Sequence, residues 1–287
     1  MDARPLLDSE MRLPRRAAET HKGDYGKLLI VGGAVGYTGA PTLCARAAVR
    51  AGAGLVYLGV PAPIYDITAV KNDEAMPFPL PADAAGGVGC GAVDAVLDRL
   101  ALCDVAALGP GMGKGEGTAA LVRAVLTSGQ TKPLVLDADA LNVLRPMLPL
   151  LRDYPGPVVL TPHGGEFARL GGKLTGDFAG DAARFSAQWG AVTVLKNHRT
   201  VVAFPDGEVY ITTHGNPGMA KGGSGDALTG VLGALLGQLP LKEAVCAGVH
   251  LHALAGDLCA ARLGEYAMTA TDLIETLPAA TMKMLEY

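Results

Sequence analysis

Short apolar runs bounded by Gly, Pro or Asp punctuate the chain at residues 28–31, 55–60, 105–108, 134–136, 158–160 and 192–195. Runs of this length, rich in Val, Leu and Ile and lacking polar alternation, predict strands buried on both faces. Between them lie alanine-rich stretches with helical spacing, at 38–53, 91–103, 118–128 and 177–190. Alternation of this kind predicts right-handed crossovers and hence a largely parallel sheet with helices on both faces. After Lys196 the pattern changes: 201–204 and 209–212 flank the turn Pro205-Asp206-Gly207, a hairpin signal that predicts an antiparallel edge. Residues 226–285 are helical in composition, with breaks near Pro240 and Gly264, whereas 77–91 read as a loop. No low-complexity linker and no internal repeat divides the chain, so one domain is expected over 21–287 behind an extension of residues 1–20.

Composition narrows the class. Hydrophobic residues make up 49% and charged residues 18%, enough apolar mass to offset the chain entropy lost on folding and to exclude disorder. Glycine is the outlier at 39 of 287, about twice the usual share of ~7% and without a collagen period. Something in this fold needs bare backbone. A net charge of −4 and a pI of 5.9 supply no electrostatic footprint for nucleic acid or an anionic membrane. The amino-terminal residues mix both charge signs and lack the apolar core of a secretion signal. The uncharged run 227–241 is shorter than the ~20 residues a bilayer requires. A cytoplasmic location, with neither nucleic acid nor membrane as partner, is the expectation. Five cysteines without a C-x-x-C pair read as reduced core thiols, not a disulfide framework or zinc ribbon.

In parallel sheets ligands bind beyond the carboxyl ends of the strands. The segments that follow the strands are unusually polar or glycine-rich: GGAVGYTGA (32–40), GPGMG (109–113), DADALN (137–142), TPHGGE (161–166), KNHRT (196–200) and GNPGMAKGGSGD (215–226). The last is the strongest. Its glycines can turn successive amides, those of Gly222, Gly223, Ser224 and Gly225, onto one point ahead of a helix, which makes an anion hole without a basic side chain. Asp226 then sits where the helix dipole holds a carboxylate ionised. There it can accept a hydroxyl proton while the amides stabilise a transferring phosphoryl group; the plainer alternative is that Asp226 only caps the helix. No G-x-x-x-x-G-K-S/T is present, and the near match to a dinucleotide fingerprint at Gly87, Gly89 and Ala92 follows no apolar strand, which disfavours P-loop and Rossmann chemistry.

Weaker candidates stay open at this level. Asp137 and Asp139 could position metal or substrate hydroxyls, or Asp139 could be a cap. Glu166 could hold Mg2+ directly or through water, or form a capping pair with His163. Lys221 adds a cation that either binds phosphate or faces solvent. His250 and His252, two apart on a helix, point to different faces and read as packing, and His21, His198 and His214 read as solvated and unpartnered.

Taken together, HKGDYGKLLIVGG (21–33), TGAP (38–41), GPGMG, DADALN, TPHGGE and GNPGMAKGGSGDALTG (215–230) make the chain resemble the ADP-dependent NAD(P)H-hydrate dehydratases, a branch of the ribokinase-like carbohydrate kinases, over about residues 22–277. The resemblance implies a three-layer α/β/α sandwich, mostly parallel with an antiparallel edge hairpin. It implies dehydration of the S forms of NADHX and NADPHX to NADH and NADPH, with ADP as phosphoryl donor, AMP and phosphate as products, and Mg2+. On these motifs Ala40, Gly111, Gly113, His163 and Asp226 would meet the hydrated dinucleotide, with Asp226 as base. Lys196, Asn197, His198, Arg199, Thr200 and Gly225 would line the nucleotide site. Glu166 stands at the acidic end of the related kinases' Asn-x-x-Glu magnesium motif, with His163 in place of the Asn. Asn197 follows Lys196 where Gly is usual, and Asn is the next residue to tolerate positive φ. A homotetramer, and an epimerase on a separate chain, are also implied. Two rivals remain: a ribokinase-like kinase of a vitamin-precursor alcohol of hydroxyethylthiazole or hydroxymethylpyrimidine type, and a non-catalytic nucleotide sensor. TPHGGE and HKGDYGK favour the dehydratase.

Overall fold

A computed structural model describes residues 2–285. Ten strands form one sheet: β1 (Arg4–Leu6), β2 (Lys27–Val31), β3 (Leu55–Pro61), β4 (Met76–Leu80), β5 (Val105–Leu108), β6 (Leu134–Leu136), β7 (Val158–Leu160), β8 (Val192–Leu195), β9 (Val201–Ala203) and β10 (Val209–Thr212). Their order across the sheet is β1-β10-β9-β8-β7-β6-β5-β2-β3-β4. All neighbours are parallel except β8–β9 and β9–β10. The chain order reverses between β2 and β5, the kind of switch at which open α/β sheets leave a crevice.

Eleven α-helices cover the sheet: α1 (Gly39–Arg50), α2 (Tyr65–Lys71), α3 (Val93–Ala101), α4 (Glu116–Leu126), α5 (Ala138–Leu144), α6 (Leu150–Asp153), α7 (Gly164–Leu170), α8 (Phe178–Trp189), α9 (Ser224–Leu236), α10 (Leu241–Leu263) and α11 (Ala270–Met284). Strand side chains alternate between two cores. Leu28, Ile30, Val105 and Ala107 face α1, α9, α10 and α11. Leu29, Val31, Ala106 and Leu108 face α3, α4, α5, α7 and α8. Both faces of the central strands are therefore dry, which is why they read as unbroken apolar runs. By length and composition α10 could cross a membrane, but 78% of its apolar window is buried inside this fold.

Two strands depart from the sequence reading. β4, Met-Pro-Phe-Pro-Leu, lies in the stretch read as a loop, yet pairs with β3 alone at the sheet margin. An edge strand tolerates proline because its outward side needs no N–H donors. β1, from within residues 1–20, pairs in parallel with β10, so the predicted hairpin lies one strand in from the edge. Leu6 is fully buried there. Four cysteines are buried and Cys90 is exposed; burial pushes the thiols of Cys103 and Cys246 up to about 11 and about 12.

Candidate active site

Three loops at the carboxyl ends of β6, β7 and β8 bring Asp137, Glu166 and Lys196 together. Asp137 is the residue after β6 and is 1% exposed. Its Oδ1 accepts a 2.8 Å hydrogen bond from Lys196 Nζ, and its Oδ2 accepts one of 2.7 Å from Thr229 Oγ1 on α9. Burial alone would raise this carboxyl, but the Lys196 charge and these hydrogen bonds hold it below the usual carboxylate range. Burial likewise works against the Lys196 cation, and Asp137 and Glu166 outweigh it, so the ammonium titrates above its ordinary value. Backbone geometry sets the pair up. Gly109, with φ +128°, lies so close to the Asp137 carbonyl that a Cβ would overlap its oxygen. Ala138 takes φ +48° between Asp137 and Asp139, a strained left-handed conformation for alanine.

Opposite this pair, α9 begins. Gly223 has φ +98°, and a Cβ there would meet Leu43 Cδ1 at 2.6 Å and Ala270 Cβ at 2.8 Å. Only glycine lets the chain turn into the helix at this point. The Ser224 amide makes a long 3.4 Å bond to the Lys221 carbonyl, while the amides of Gly222, Gly223, Gly225 and Asp226 make no backbone hydrogen bond among the described residues. Unpaired amides at a helix start form an anion site. The position of the Gly225 Cβ, were there one, is 3.3 Å from Lys196 Nζ, so the ammonium stands beside those amides.

Asp226 is in the first turn of α9 and its carboxyl accepts no hydrogen bond among the described residues. The expectation that the helix dipole keeps it ionised is overturned. Burial, then the charges of Asp137, Asp139 and Glu166, with Lys196 opposing, push it up to about 7. A dipole contributes about 0.3–1 kcal/mol at a helix start, and three converging carboxylates with burial exceed it.

A cavity of about 760 Å3 opens from this cluster, walled by His163, Lys196, Asn197, His198, Thr200, Gly222, Ser224, Gly225 and the loop from Thr212 to Lys221, with Leu228, Val249, His252 and Ala253 behind. Ala40 and Gly111 lie on a neighbouring rim, where a Cβ on Gly111 would touch Ala40 Cβ at 3.2 Å. Gly113 joins that rim to the acids, because its amide donates to Asp139 Oδ2 at 2.9 Å.

Several expected residues also hold structural partners. His163 caps α7: its Nδ1 accepts from the Gly165 amide at 3.0 Å, and Glu166 accepts from the His163 amide at 2.9 Å. The capping pair is thus real, and the same Glu166 oxygen is 3.9 Å from Lys196 Nζ. Arg199 turns its guanidinium onto the Thr213 carbonyl and is not part of the cavity wall. Lys221 is exposed and stands in the cavity wall, and its Nζ donates to the Tyr266 and Met268 carbonyls at 2.6 Å each, which fastens the α10–α11 connection. Asn197 does not need the left-handed region; among the described non-glycine residues only Ala138 enters it.

His250 and His252 are buried, as packing residues are, but His214 is not unpartnered. His252 lines the cavity and its Nε2 donates to the Ser224 carbonyl at 2.9 Å, fixing the start of α9; burial drops it to about 4. His214 is doubly paired, to Asp8 at 2.7 Å and to Asp257 at 2.9 Å. Both partners lie far along the chain, and no local spacing announces them. Thr229 could have been found, because it follows Asp226 by three residues and so shares its helix face.

A family profile described as NAD(P)H-hydrate dehydratase matches residues 28–279. The chain is 49% identical over 273 residues to the bifunctional NAD(P)H-hydrate repair enzyme Nnr of Moorella thermoacetica, covering 93% of this chain and 51% of that protein. It therefore spans about half the length of such bifunctional relatives. It is 37% identical over 266 residues to the ADP-dependent (S)-NAD(P)H-hydrate dehydratase of Neisseria meningitidis, covering 89% of this chain and 86% of that one. Among solved structures, ADP/ATP-dependent NAD(P)H-hydrate dehydratase from Bacillus subtilis, co-crystallized with ATP/Mg2+, superposes with a TM-score of 0.83 at 31% identity over 99% of each chain.

Proposed function

This chain belongs to the NAD(P)H-hydrate dehydratase family, with a ribokinase-like sheet, and from that membership we propose that it dehydrates the S forms of NADHX and NADPHX at the expense of ADP. The observation that carries the reading is a carboxyl that titrates near 7 in the first turn of α9, directly after Gly222, Ser224 and Gly225, which line the 760 Å3 cavity, while Asp226 itself is not among the lining residues. A base poised at neutral pH suits removal of a hydroxyl proton.

The nucleotide occupies the cavity, its transferring phosphoryl group at the amides of Gly222, Gly223 and Gly225 with Lys196 alongside. The dinucleotide approaches from the Ala40–Gly111–Gly113 rim. Asp226 takes the proton of the ring hydroxyl as its oxygen attacks the β-phosphorus of ADP, and AMP leaves. The phosphorylated ring then expels phosphate, a far better leaving group than hydroxide, pushed by the ring-nitrogen lone pair, and loss of a proton from the adjacent ring carbon to the departing phosphate or water restores the double bond of NADH or NADPH. Pinned by Thr229 and Lys196, Asp137 keeps the ammonium in place and the neighbouring carboxyl proton-loving.

Mg2+ fits the same cluster, since Asp137, Asp139, Glu166 and Asp226 give an excess of carboxylate around one ammonium, and hard cations favour oxygen donors. Glu166 would hold it through water, since its Oε2 is already taken by the His163 amide, and Asp226 stays free as the base. When bound, the ion neutralises charge on the nucleotide phosphates. An epimerisation reaction would supply the S form. The resemblance also supports a homotetramer, which sedimentation of the purified chain tests; a monomer or dimer would refute it.

Incubation with S-NADPHX, ADP and Mg2+ should restore the reduced-nicotinamide absorbance with AMP and phosphate formed in equal amounts. Absence of recovery, or recovery with ATP alone, would refute the reading. Asp226→Asn should abolish turnover while calorimetry still records ADP binding, and a variant that keeps its turnover would remove Asp226 from the chemistry.

A further inference from the structure

On the far side of the cavity wall, His250 occupies the middle of α10 with no exposed surface. Neither of its ring nitrogens has a hydrogen-bond partner among the described residues. The Leu6 backbone lies within weak hydrogen-bonding reach of the ring, no bond of normal geometry forms, and Nε2 stops 3.5 Å from Asp8 Oδ1. An orphaned buried imidazole is costly, and its surroundings suggest what satisfies it. His214 stands edge-on to His250 with ring centroids 5.1 Å apart, and its Nε2 is 2.7 Å from the same Asp8 oxygen. One ligand atom from each of Asp8, His214 and His250 lies within 4.8 Å of the others.

Behind this trio is the outer partner that metal-bound histidines usually have. His214 Nδ1 meets Asp257 Oδ2 at 2.9 Å, which directs Nε2 towards Asp8 and His250. A carboxylate on the outer nitrogen orients a ligating imidazole and raises its basicity. Asp257 is itself anchored, accepting from Asn216 Nδ2 at 2.9 Å and from the Gly215 amide at 3.2 Å. Asp8 is 69% exposed and His214 is 20% exposed, so an ion can enter from solvent and retain a water.

We propose that Asp8, His214 and His250 form a site for a borderline divalent ion of the Zn2+ class, separate from the acidic cluster around Asp226. Two imidazoles and one carboxylate with an open position match the donor set Zn2+ and Co2+ take, whereas Mg2+ prefers oxygen and water. The ion staples three separate pieces of chain: the segment after β1, the loop that carries Gly215 and Asn216 into the cavity wall, and the core of α10. The Thr213 Oγ1 bond to the Leu6 carbonyl, 2.9 Å long, already holds the first two in register. Bound metal would therefore stiffen the wall that faces the nucleotide.

The test uses the full chain without a histidine tag, stripped with chelator and dialysed against Zn2+ or Co2+. One ion per chain should be retained, and Co2+ should give intense visible ligand-field bands of low-coordinate geometry. Asp8→Asn alters an exposed ligand and leaves the core intact; it should weaken retention at least roughly tenfold, and His250→Leu should abolish it. A hundredfold excess of Mg2+ should displace nothing. Absence of the Co2+ bands, displacement by Mg2+, undiminished retention in Asp8→Asn, or loss of binding in Cys90→Ser, which removes the exposed thiol, would each overturn the proposal.

Discussion

Asp226→Asn keeps the side chain's shape and removes its charge, and it should make the protein more stable as it makes it inactive. The wild-type carboxyl titrates at about 7 in the folded chain instead of 3.8, through burial first, then Asp137, Asp139 and Glu166, against Lys196. In the unfolded chain it returns to its ordinary value. At a pH below about 4 both states hold the proton and the group is neutral to stability. As pH rises the unfolded state ionises first, so folding loses free energy until the folded carboxyl also ionises near 7. The stability present at low pH is thus lost as pH climbs through that value, and above it the loss is complete. At roughly 1.4 kcal/mol per pH unit the ceiling is about 4 kcal/mol. Asp226 is only partly buried, and screening by solvent brings the expectation to about 2 kcal/mol. The helix start favours a carboxylate by about 0.3–1 kcal/mol, which is smaller, and no side-chain hydrogen bond is lost in the exchange.

Urea unfolding of both proteins reads this directly. The Asn variant should gain about 2 kcal/mol at pH 8, with an unchanged m-value, and the gain should shrink well below 1 kcal/mol at about pH 4.5. In thermal unfolding the gain corresponds to roughly 4 °C. Wild-type kcat should rise with pH to a plateau above about 7, the profile of an essential base. An advantage for Asn that is absent, or that does not vary with pH, would show that the charges of Asp137, Asp139 and Glu166 do not reach Asp226, and the assignment of the base would fall with it.

Lys196→Met leaves Asp137 buried without its cation and should cost about 3–5 kcal/mol in urea unfolding; adding Asp137→Asn should recover much of that, and no recovery would mean that the pair is not the cause. Ala138→Gly relieves the left-handed backbone between Asp137 and Asp139, so it should leave stability unchanged or raise it by up to about 1 kcal/mol, whereas Ala140→Gly within α5 should lower it by about 1 kcal/mol. Gly223→Ala forces Cβ against Leu43 and Ala270 and should weaken ADP binding at least about tenfold in calorimetry while circular dichroism stays unchanged.

What could be read along the chain was whatever is encoded locally. The central strands 105–108, 134–136, 158–160 and 192–195 appear at those bounds because burial on both faces leaves an unbroken apolar run flanked by breakers. β1 and β4 escaped, one because Arg-Pro-Leu holds no apolar run and buries only Leu6, the other because it carries two prolines that only an edge position accommodates. The site divides in the same way. Polar segments after the strands marked the rim, and the glycines before Asp226 marked the helix start. The partners of His214 lie 206 and 43 residues away, and the ammonium that neutralises Asp137 lies 59 residues on, distances at which no spacing rule operates. Asp226 shows why this matters for chemistry. Its local setting, the first turn of a helix, argues for a low pKa and a weak base. Three carboxylates carried in on two segments, Asp137 and Asp139 after β6 and Glu166 after β7, reverse that sign, and it is the crossover connections of the sheet, not any motif, that bring those segments to one point.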